Sequence, residues 1–496
     1  MLKHLKQKQN WFIELTTIII IFSFILFRSV GNLDELWIFS YAKNVADGLL
    51  LYKDINMCVT PFAIDILGFA LKIFGTNLWG YRAMTCLIYG VCYLIGSRLL
   101  WKKSNKNSFI HILYSLFFIS MYKIMLYEYN ILNIFFLILI IILEEKEQLK
   151  EYGSKQYQSV IQNIIIGLLI GLTLMTKQST GVILIICAII NAFLNKIPLK
   201  NILYRFISFT TVISIYGISF FLTGAAPYVF DFTIAGVGNF TQNFNISLIL
   251  KSVLMHMELL VLIGYYIYKM MQIGTDFLKK KELSIEEKNK QTSFIYMLAS
   301  FCIAYPLLDY THFVIACIPL LPYFFSELGK LLKNKKLLNK LCYPILGLWV
   351  FWNTLIFFQY PYYADLKICK INHYEGININ SQIERKMENV INKIQEYEKN
   401  GLKTYILDAG AVSYYIPLDI YHKYYDLPLG GNLGTANFDE LIKEICNENC
   451  AIFYVKDEEK LNYQMPKNIK FILLENGMEV VDECKYFDIY MAINNV

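Results

Sequence analysis

The chain reads NLDELW at residues 32–37, just beyond its first long apolar run. The neighbouring acids Asp34 and Glu35 are predicted to stand at a membrane boundary. A carboxylate there loses hydration and needs a cation, a metal or a ligand in its place. Two acids in a solvated loop are the ordinary alternative. We favour a functional pair because the other unusual polar groups of the apolar region are predicted to share the same outer face.

The composition is that of a membrane protein. Of 496 residues, 56% are hydrophobic and only 17% are charged, whereas soluble proteins carry about a quarter charged residues. The sequence therefore predicts an α-helical polytopic membrane protein embedded in the lipid bilayer. Its formal net charge of +6 does not indicate a nucleic-acid partner, because the lysines cluster in particular loops.

Eleven apolar runs are candidates for transmembrane helices that cross about 30 Å of hydrocarbon. They lie near residues 11–30, 80–101, 108–122, 131–143, 161–175, 180–194, 202–222, 248–271, 292–308, 313–329 and 341–359. Lysine-rich loops, such as the one with Lys196, Lys200 and Arg205, alternate with lysine-poor ones. The positive-inside rule therefore predicts a multi-pass plasma-membrane protein with a cytoplasmic N-terminus and an extracytoplasmic C-terminal segment. The first run is predicted to be a retained anchor.

Two other regions have the patterns of folded structure. The first outer loop, residues 31–79, is predicted to hold two interfacial helices, because apolar residues recur at helical spacing over 36–45 and 62–73. From about residue 360 the composition is that of a soluble domain. Helices are predicted over 381–399 and near 437–447, and strands in the apolar runs 404–407, 451–455, 471–474 and 489–492. We therefore divide the chain into a transmembrane domain, 1–359, and a small extracytoplasmic α/β domain, 360–496.

Further polar residues are predicted at the outer ends of the apolar helices: Arg82, Glu128, Lys177, Asp309 and His312. Ordinary alternatives exist: Arg82 could extend to lipid head groups, Glu128 could pair with a nearby lysine, and His312 could make an interhelical hydrogen bond. Lys177 is predicted in a helix turn on the lysine-poor side, where the topology requires no cation. We expect Asp34, Glu128, Lys177, Asp309 and His312 to line one outward-facing cavity.

Acids beside cations at an outer membrane surface suit a reaction between a lipid phosphate and a hydroxyl nucleophile. A carboxylate can accept the proton of the nucleophile as a general base. Fixed cations can stabilise the charge that grows on a departing phosphate. Oxygen ligands for a divalent metal are present, but no spacing demands one, so the need for a divalent metal stays open and its ligands stay unassigned.

The first loop resembles that of the GT-C superfamily of membrane glycosyltransferases. From Asp34 to Asp54 the chain follows the spacing Asp-Glu-x-Trp-x3-Tyr-Ala-x-Asn-x3-Gly-x3-Tyr-x-Asp. This spacing is similar to that of the protein-mannosyltransferase-like and aminoarabinose-transferase-like bacterial enzymes, with Thr60-Pro61 where those usually have Pro-Pro. The Lys177 turn and the Asp309-x2-His312 turn also resemble motifs of these proteins, so the resemblance covers about residues 10–330.

The resemblance implies a GT-C-like membrane glycosyltransferase. Such an enzyme moves a sugar, with inversion, from a polyprenyl-phosphate-linked donor to an extracytoplasmic acceptor of the cell envelope. In this interpretation Asp34 is the base, and Glu35 orients it or a metal. Arg82, Lys177 and His312 hold the donor phosphate, and Glu128 or Asp309 completes the pocket.

Two other classes of function are alternatives. A transporter or flippase of a lipid-linked sugar is the first, but transporters tend to have inverted repeats and charges near the membrane midplane. Here the charges are predicted at helix ends, and the sequence has no internal repeat. A scaffold that binds a cell-surface polymer is the second, and it leaves the clustered charges unexplained.

Overall fold

The computed structural model describes residues 2–104, 107–150, 156–237, 257–279, 282–305, 309–334, 365–426, 432–456 and 468–492. The chain folds into two compact units. The helical unit consists of the described parts of Met1–Leu26, Arg82–Ile218 and Asn243–Tyr360. The mixed unit consists of the described parts of Phe27–Tyr81, Ser219–Gln242 and Pro361–Val496. The mixed unit thus includes the first loop, and the predicted division at residue 359 stays a prediction.

The apolar part of the chain consists mainly of helices in its described ranges. In chain order the helices are α1 (Leu2–Phe27), α2 (Leu33–Ala46), α3 (Phe62–Phe74), α4 (Leu78–Lys103), α5 (Ser108–Ser120), α6 (Tyr129–Lys150), α7 (Gln156–Thr176), α8 (Gln178–Leu194), α9 (Leu199–Thr223), α10 (Ala226–Phe230), α11 (Met257–Leu278), α12 (Ile285–Phe301), α13 (Tyr310–Cys317) and α14 (Leu321–Asn334). Short 3-10 turns, Met121–Ile124 and Cys302–Ala304, follow α5 and α12, and a π-helical turn, Asp231–Ala235, follows α10.

Several of these helices can cross a membrane. Over Asn10–Phe27 in α1, Leu78–Lys103, Ser159–Thr176 in α7 and Leu199–Thr223, the helices are long and apolar enough to do so. Large apolar side chains of α9, among them Phe206, Ile215 and Phe221, are exposed, as expected for a helix that faces lipid. The predicted polytopic helical fold is confirmed. The number of spans stays a prediction, and the run 341–359 lies outside the described residues.

The run predicted as one span over 313–329 is a bent helix pair. The axes of α13 and α14 differ by 70°. Pro319 lies at the break and Pro322 in the first turn of α14. Proline has no N–H to donate and its ring clashes with the preceding turn, so it is tolerated at a helix start and not in a helix interior. The sequence therefore contains two helices where we predicted one.

A buried ionic cluster joins the C-terminal end of α6 to three other helices. Arg205 of α9 donates to both carboxylate oxygens of Glu144, at 2.6 and 3.1 Å, and its Nε donates to Asn163 of α7 at 2.6 Å. The hydroxyl of Tyr296 in α12 donates to Glu144 at 2.7 Å. Glu144 is 1% exposed and Arg205 is 7% exposed. Each buried charge is thus compensated inside the bundle, as burial requires.

A second buried carboxylate lies in α1. Glu14 accepts hydrogen bonds from Ser97 at 2.6 Å and from Arg98 at 2.9 Å, both in α4. Glu14 and Glu144 lie beside lysine-rich loops, which are predicted to be cytoplasmic. These two buried acids are therefore predicted on the cytoplasmic side, and the expectation that the selected polar groups share the outer face stays a prediction. Arg205, which we assigned to a loop on charge alone, is an internal ion-pair partner.

The mixed unit contains two small sheets. Its strands are β1 (Leu366–Ile368), β2 (Asn378–Asn380), β3 (Lys403–Leu407), β4 (Cys450–Val455), β5 (Met478–Glu483) and β6 (Phe487–Ala492), and its helices after residue 360 are α15 (Ser381–Lys399), α16 (Val412–Leu418), α17 (Phe438–Cys446) and α18 (Ile469–Glu475). The larger sheet has the order β3-β4-β6-β5, parallel between β3 and β4 and antiparallel elsewhere, and β1 pairs with β2. Every residue of β4 is buried, so β4 is the core strand.

The predicted elements of this region are mostly confirmed. The helices over 381–399 and 437–447 and the strands at 404–407, 451–455 and 489–492 are present, as are both helices of the first loop. The predicted strand at 471–474 is wrong, because it lies in α18. Ile469, Ile472 and Leu473 are buried while Phe471 and Leu474 are exposed, which is the spacing of one face of a helix.

Removing the Arg205 side chain tests the cluster around Glu144. Breaking a buried ion pair costs about 3–5 kcal/mol, because it leaves one charge without a partner. We therefore expect Arg205→Ala to lower the unfolding midpoint of the detergent-purified protein markedly. The control is Lys290→Ala, which removes the surface pair between Lys290 and Glu286 (2.9 Å), a type worth about 0.3–0.5 kcal/mol. Equal shifts in the two variants would contradict the importance of the cluster.

Candidate active site

The acid pair lies in the first turn of α2. Asn32 is the N-cap of this helix, and its Oδ1 accepts a hydrogen bond from the N–H of Glu35 at 3.1 Å. This cap satisfies one of the free N–H groups that every helix start carries. The two carboxylates have different surroundings, since Asp34 is exposed and Glu35 is fully buried. The helix start therefore separates the pair into an accessible acid and an internal one.

Glu35 is paired with Arg28, a residue that the sequence analysis did not select. Nη2 of Arg28 lies 2.6 Å from Oε1 of Glu35, and Arg28 is 6% exposed. The available signal was an arginine inside the predicted first span, since a charge in an apolar run requires a partner. The ion pair occupies one oxygen of Glu35 and fixes the direction of its carboxylate.

An ordinary helix start with the same sequence pattern occurs at α17. There Asn437 is the N-cap and Asp439 and Glu440 follow in the first turn. Acids are favourable at helix N-termini because of the helix dipole, so the pattern Asn-x-Asp-Glu does not by itself indicate a site. Glu440 is exposed, whereas Glu35 is buried and ion-paired. Burial of the second acid is what distinguishes α2.

Lys177 is buried at the turn between α7 and α8, where it is 6% exposed. Its Nζ donates to Oδ1 of Asn130 at 3.0 Å and to the carbonyl oxygen of Ile303 at 2.8 Å, and it lies 5.3 Å from the ring centroid of Tyr129. Nδ2 of Asn130 donates to Oε2 of Glu128 at 3.1 Å. Asn130, which the sequence analysis did not select, therefore links Lys177 to Glu128.

The close approach of α7 and α8 shapes the Lys177 turn. Lys177 has an extended backbone, with φ of −155°, between the two helices. One turn later, a Cβ at Gly181 would clash with the backbone Cα of Leu174. Only glycine permits this packing, which closes the turn within a single residue.

Arg82 is fully buried in α4. Its Nη1 donates to the carbonyl oxygen of Leu26 at 3.1 Å. One turn along the helix, Oγ1 of Thr85 accepts a hydrogen bond from the N–H of Tyr127 at 3.1 Å. A fully buried guanidinium does not fit the alternative in which Arg82 extends to lipid head groups. The contact at Thr85 instead places this part of α4 beside the turn that carries Glu128.

Asp309 and His312 form a local pair at the start of α13. Asp309 is the N-cap, and its Oδ1 accepts a hydrogen bond from the N–H of His312 at 2.9 Å and lies 2.7 Å from Nδ1 of the same residue. Burial would raise the pKa of Asp309, but the hydrogen bonds and charge of His312 lower it below its usual value. In addition, α13 packs against α6 and against the turn that contains Ile303.

The structure thus joins Glu128 to Lys177 and Asp309 to His312 within the helical unit. It joins Asp34 to Glu35 within the mixed unit. The prediction that these residues line one cavity stays a prediction. In the described ranges, no group of three or more His, Cys, Asp or Glu side chains is arranged to hold a metal ion.

Comparison with known proteins finds similarity at the level of structure. No family model matches the chain, and no curated protein matches it in sequence. A solved structure of ArnT from Cupriavidus metallidurans, bound to undecaprenyl phosphate, matches over 97% of each chain with a TM-score of 0.53 and 10% sequence identity. The chain has a GT-C-like fold. The apo structure of the same ArnT matches over the same shares, with a TM-score of 0.43 and 10% identity. The match to the structure bound to undecaprenyl phosphate confirms the predicted resemblance for the fold.

The lowered pKa of Asp309 predicts how stability depends on pH. A carboxylate whose pKa is depressed in the folded state stabilises that state fully above its unfolded pKa of about 3.9. This contribution is lost as the pH falls through the folded pKa. We therefore expect the unfolding midpoint of the wild type to exceed that of Asp309→Asn at pH 7, and the difference to shrink below about pH 4. A difference that stays constant from pH 7 to pH 3 in thermal unfolding experiments would contradict this pairing.

Proposed function

We propose that the chain is an integral membrane glycosyltransferase of the GT-C type. It moves a sugar from a polyprenyl-phosphate-linked donor to an extracytoplasmic acceptor, with inversion at the anomeric carbon. The observation that carries the proposal is the asymmetry of the acid pair, in which Glu35 is buried against Arg28 while Asp34 is exposed. This arrangement places one solvent-exposed carboxylate in the first turn of α2.

Asp34 acts as the general base. It takes the proton of the acceptor hydroxyl as the oxygen attacks the anomeric carbon from the side opposite the phosphate. The bond between the anomeric carbon and the phosphate oxygen breaks, and the lipid phosphate leaves with the electron pair. Glu35 does not carry the proton in this proposal, because an oxygen of its carboxylate already accepts a hydrogen bond from Arg28.

The cations of the helical unit hold the donor. Lys177, Arg82 and His312 bind the lipid phosphate and stabilise the charge that it gains as the bond breaks. The hydrogen bonds described for Lys177 go to neutral oxygens, those of Asn130 and Ile303. Glu128 and Asp309 complete the pocket by orienting Asn130 and His312, with which they make hydrogen bonds.

The nature of the donor is supported by the structural likeness. ArnT, whose fold the chain shares, is bound to undecaprenyl phosphate in its solved structure. A membrane-embedded protein also has direct access to a lipid-linked substrate.

Purified protein incubated with a panel of radiolabelled polyprenyl-phosphate sugars should release lipid phosphate with at least one of them. Translocation of a lipid-linked sugar across vesicles without any release would favour a flippase and overturn the proposal.

Asp34→Asn tests the base directly. The change keeps the size of the side chain and removes its proton acceptor, and general-base catalysis contributes about 10²–10⁴-fold. Turnover should fall by about that factor while donor binding survives. Asp439→Asn is the matched control, because Asp439 has the same position after an asparagine N-cap; it should transfer sugar at the wild-type rate. Wild-type turnover by Asp34→Asn would remove Asp34 as the base.

Lys177→Met tests the donor phosphate site. Methionine keeps much of the aliphatic stem but loses the charge, and a hydrogen bond to a charged group is worth about 1.5–3 kcal/mol. We expect the KM for the donor to rise by about 10- to 10²-fold, measured as lipid phosphate released against donor concentration. The control is Lys200→Met, since Lys200 is exposed and likewise lies over a tyrosine ring, 5.9 Å from that of Tyr204. An unchanged donor KM in Lys177→Met would exclude Lys177 from the phosphate site.

A further inference from the structure

Residues Phe27–Val30, which carry Arg28, are held by strand β2. Nδ2 of Asn378 donates a hydrogen bond to the carbonyl oxygen of Phe27 at 2.8 Å. The backbone oxygen of Asn378 accepts a hydrogen bond from the N–H of Val30 at 3.0 Å. The N–H of Asn380 donates to Oγ of Ser29 at 2.9 Å. Ser29 and Val30 are fully buried. Asn378 thus makes hydrogen bonds to the backbone on both sides of Arg28.

The hydrogen bonds of Asn378 affect the acid pair through the position of Arg28. Nη2 of Arg28 lies 2.6 Å from Oε1 of Glu35, which is seven residues further along the chain. A rotation of the backbone at residue 28 would move a long side chain by several ångströms at its tip and break a contact of this length. Glu35 stands next to Asp34 in the first turn of α2, so the position of Arg28 also affects the direction of the proposed base.

Strand β2 is itself firmly anchored. It pairs along its length with β1. The side chain of Asn380 caps α15 by accepting hydrogen bonds from the N–H groups of Gln382 and Ile383. In the first turn of α15, the buried Glu384 forms an ion pair with Lys367 of β1. β1, β2 and the start of α15 therefore form a connected support for the segment at Arg28.

We propose that Asn378 is a positioning residue of the candidate active site. It does not touch substrate; its amide and backbone oxygen fix the Phe27–Val30 segment so that Arg28 meets Glu35 and Asp34 keeps its direction. This assigns a role to the part of the chain after residue 360: it orients the catalytic loop. The catalytic consequence depends on the proposed function, whereas the structural coupling does not.

The kinetic test is Asn378→Ala in the full-length protein. Loss of the amide removes one hydrogen bond, and a small displacement of catalytic groups can cost up to about 10²-fold. We expect kcat to fall by about tenfold or more while the donor KM changes by less than about twofold, because substrate contacts are untouched. Asn447→Ala is the matched control, since Nδ2 of the exposed Asn447 also donates to a backbone carbonyl, that of Lys443 at 3.0 Å.

Three kinetic results would overturn the proposal. The first is an unchanged kcat in Asn378→Ala. The second is a raised donor KM with unchanged kcat, which would indicate substrate binding instead of positioning. A loss of kcat equal to that of Asn447→Ala would show a general loss of stability and would overturn it as well.

A double-mutant cycle tests the coupling without any sugar transfer. Unfolding midpoints are measured for Asn378→Ala, Arg28→Met and the double variant. Residues that act through one network show non-additive effects, so we expect the shift of the double variant to be smaller than the sum of the single shifts. Additive shifts would overturn the proposal. Glu35→Gln replaces Arg28→Met if the latter does not fold. If the wild type transfers no sugar while the cycle is coupled, the proposed function fails and the positioning role stands.

Discussion

A charge that leaves water needs a partner, and in this chain that requirement ties together residues from different segments. Glu144 meets Arg205 from another helix, Glu35 meets Arg28 across a helix start, and Lys177 reaches the backbone at Ile303. An unpaired ion inside a protein costs several kcal/mol. Any arrangement of the helices that separated these partners would therefore be unfavourable, so the partners restrict how an otherwise apolar bundle can pack.

Helix α6 shows how this constraint organises the helical unit. Asn130 and Glu144 lie fourteen residues apart in it, which is about 21 Å along a helix. Around Glu144, an arginine, an asparagine and a tyrosine from three helices form a compact ionic cluster. Around Asn130, the amide connects a lysine to a glutamate. The apolar middle of the helix separates two polar layers: one contains the ion pair between Glu144 and Arg205, and the other contains the Asn130 bridge.

The sequence could predict features that depend on local pattern. Long apolar runs predicted the helices, and short apolar runs near 404, 451 and 489 predicted strands, because period and composition are local properties. The run at 471–474 was misassigned because four apolar residues fit a strand or a helix, and burial of Ile469 and Ile472 decides between them. The bend at Pro319 is a local feature as well, because a proline in the interior of a helix kinks or breaks it.

Partners could not be predicted in the same way. Asn130 and Arg205 are unremarkable in the sequence, and their roles arise only when Lys177 and Glu144 are brought beside them. Arg28 stands out as a charge within an apolar run, but the sequence does not identify Glu35 as its partner. A lone arginine near a lysine-rich loop fits a topological role equally well. The contacts that identify these residues join positions 7, 47 and 61 residues apart, beyond the reach of any local pattern except for the first.

Two helix starts of the mixed unit, those of α2 and α17, share one local pattern. Asn32 and Asn437 are the N-caps of α2 and α17, and an Asp-Glu pair follows each. Local physics explains both pairs equally, since caps and the helix dipole favour acids there. Only the tertiary surroundings differ: at α2 the glutamate is removed from solvent and held by an arginine, and that arginine is held by β2. α17 forms with the same local pattern although its glutamate, Glu440, is exposed. The support at α2 fixes the orientation of one turn, which is what a base that must meet its substrate at a defined angle requires.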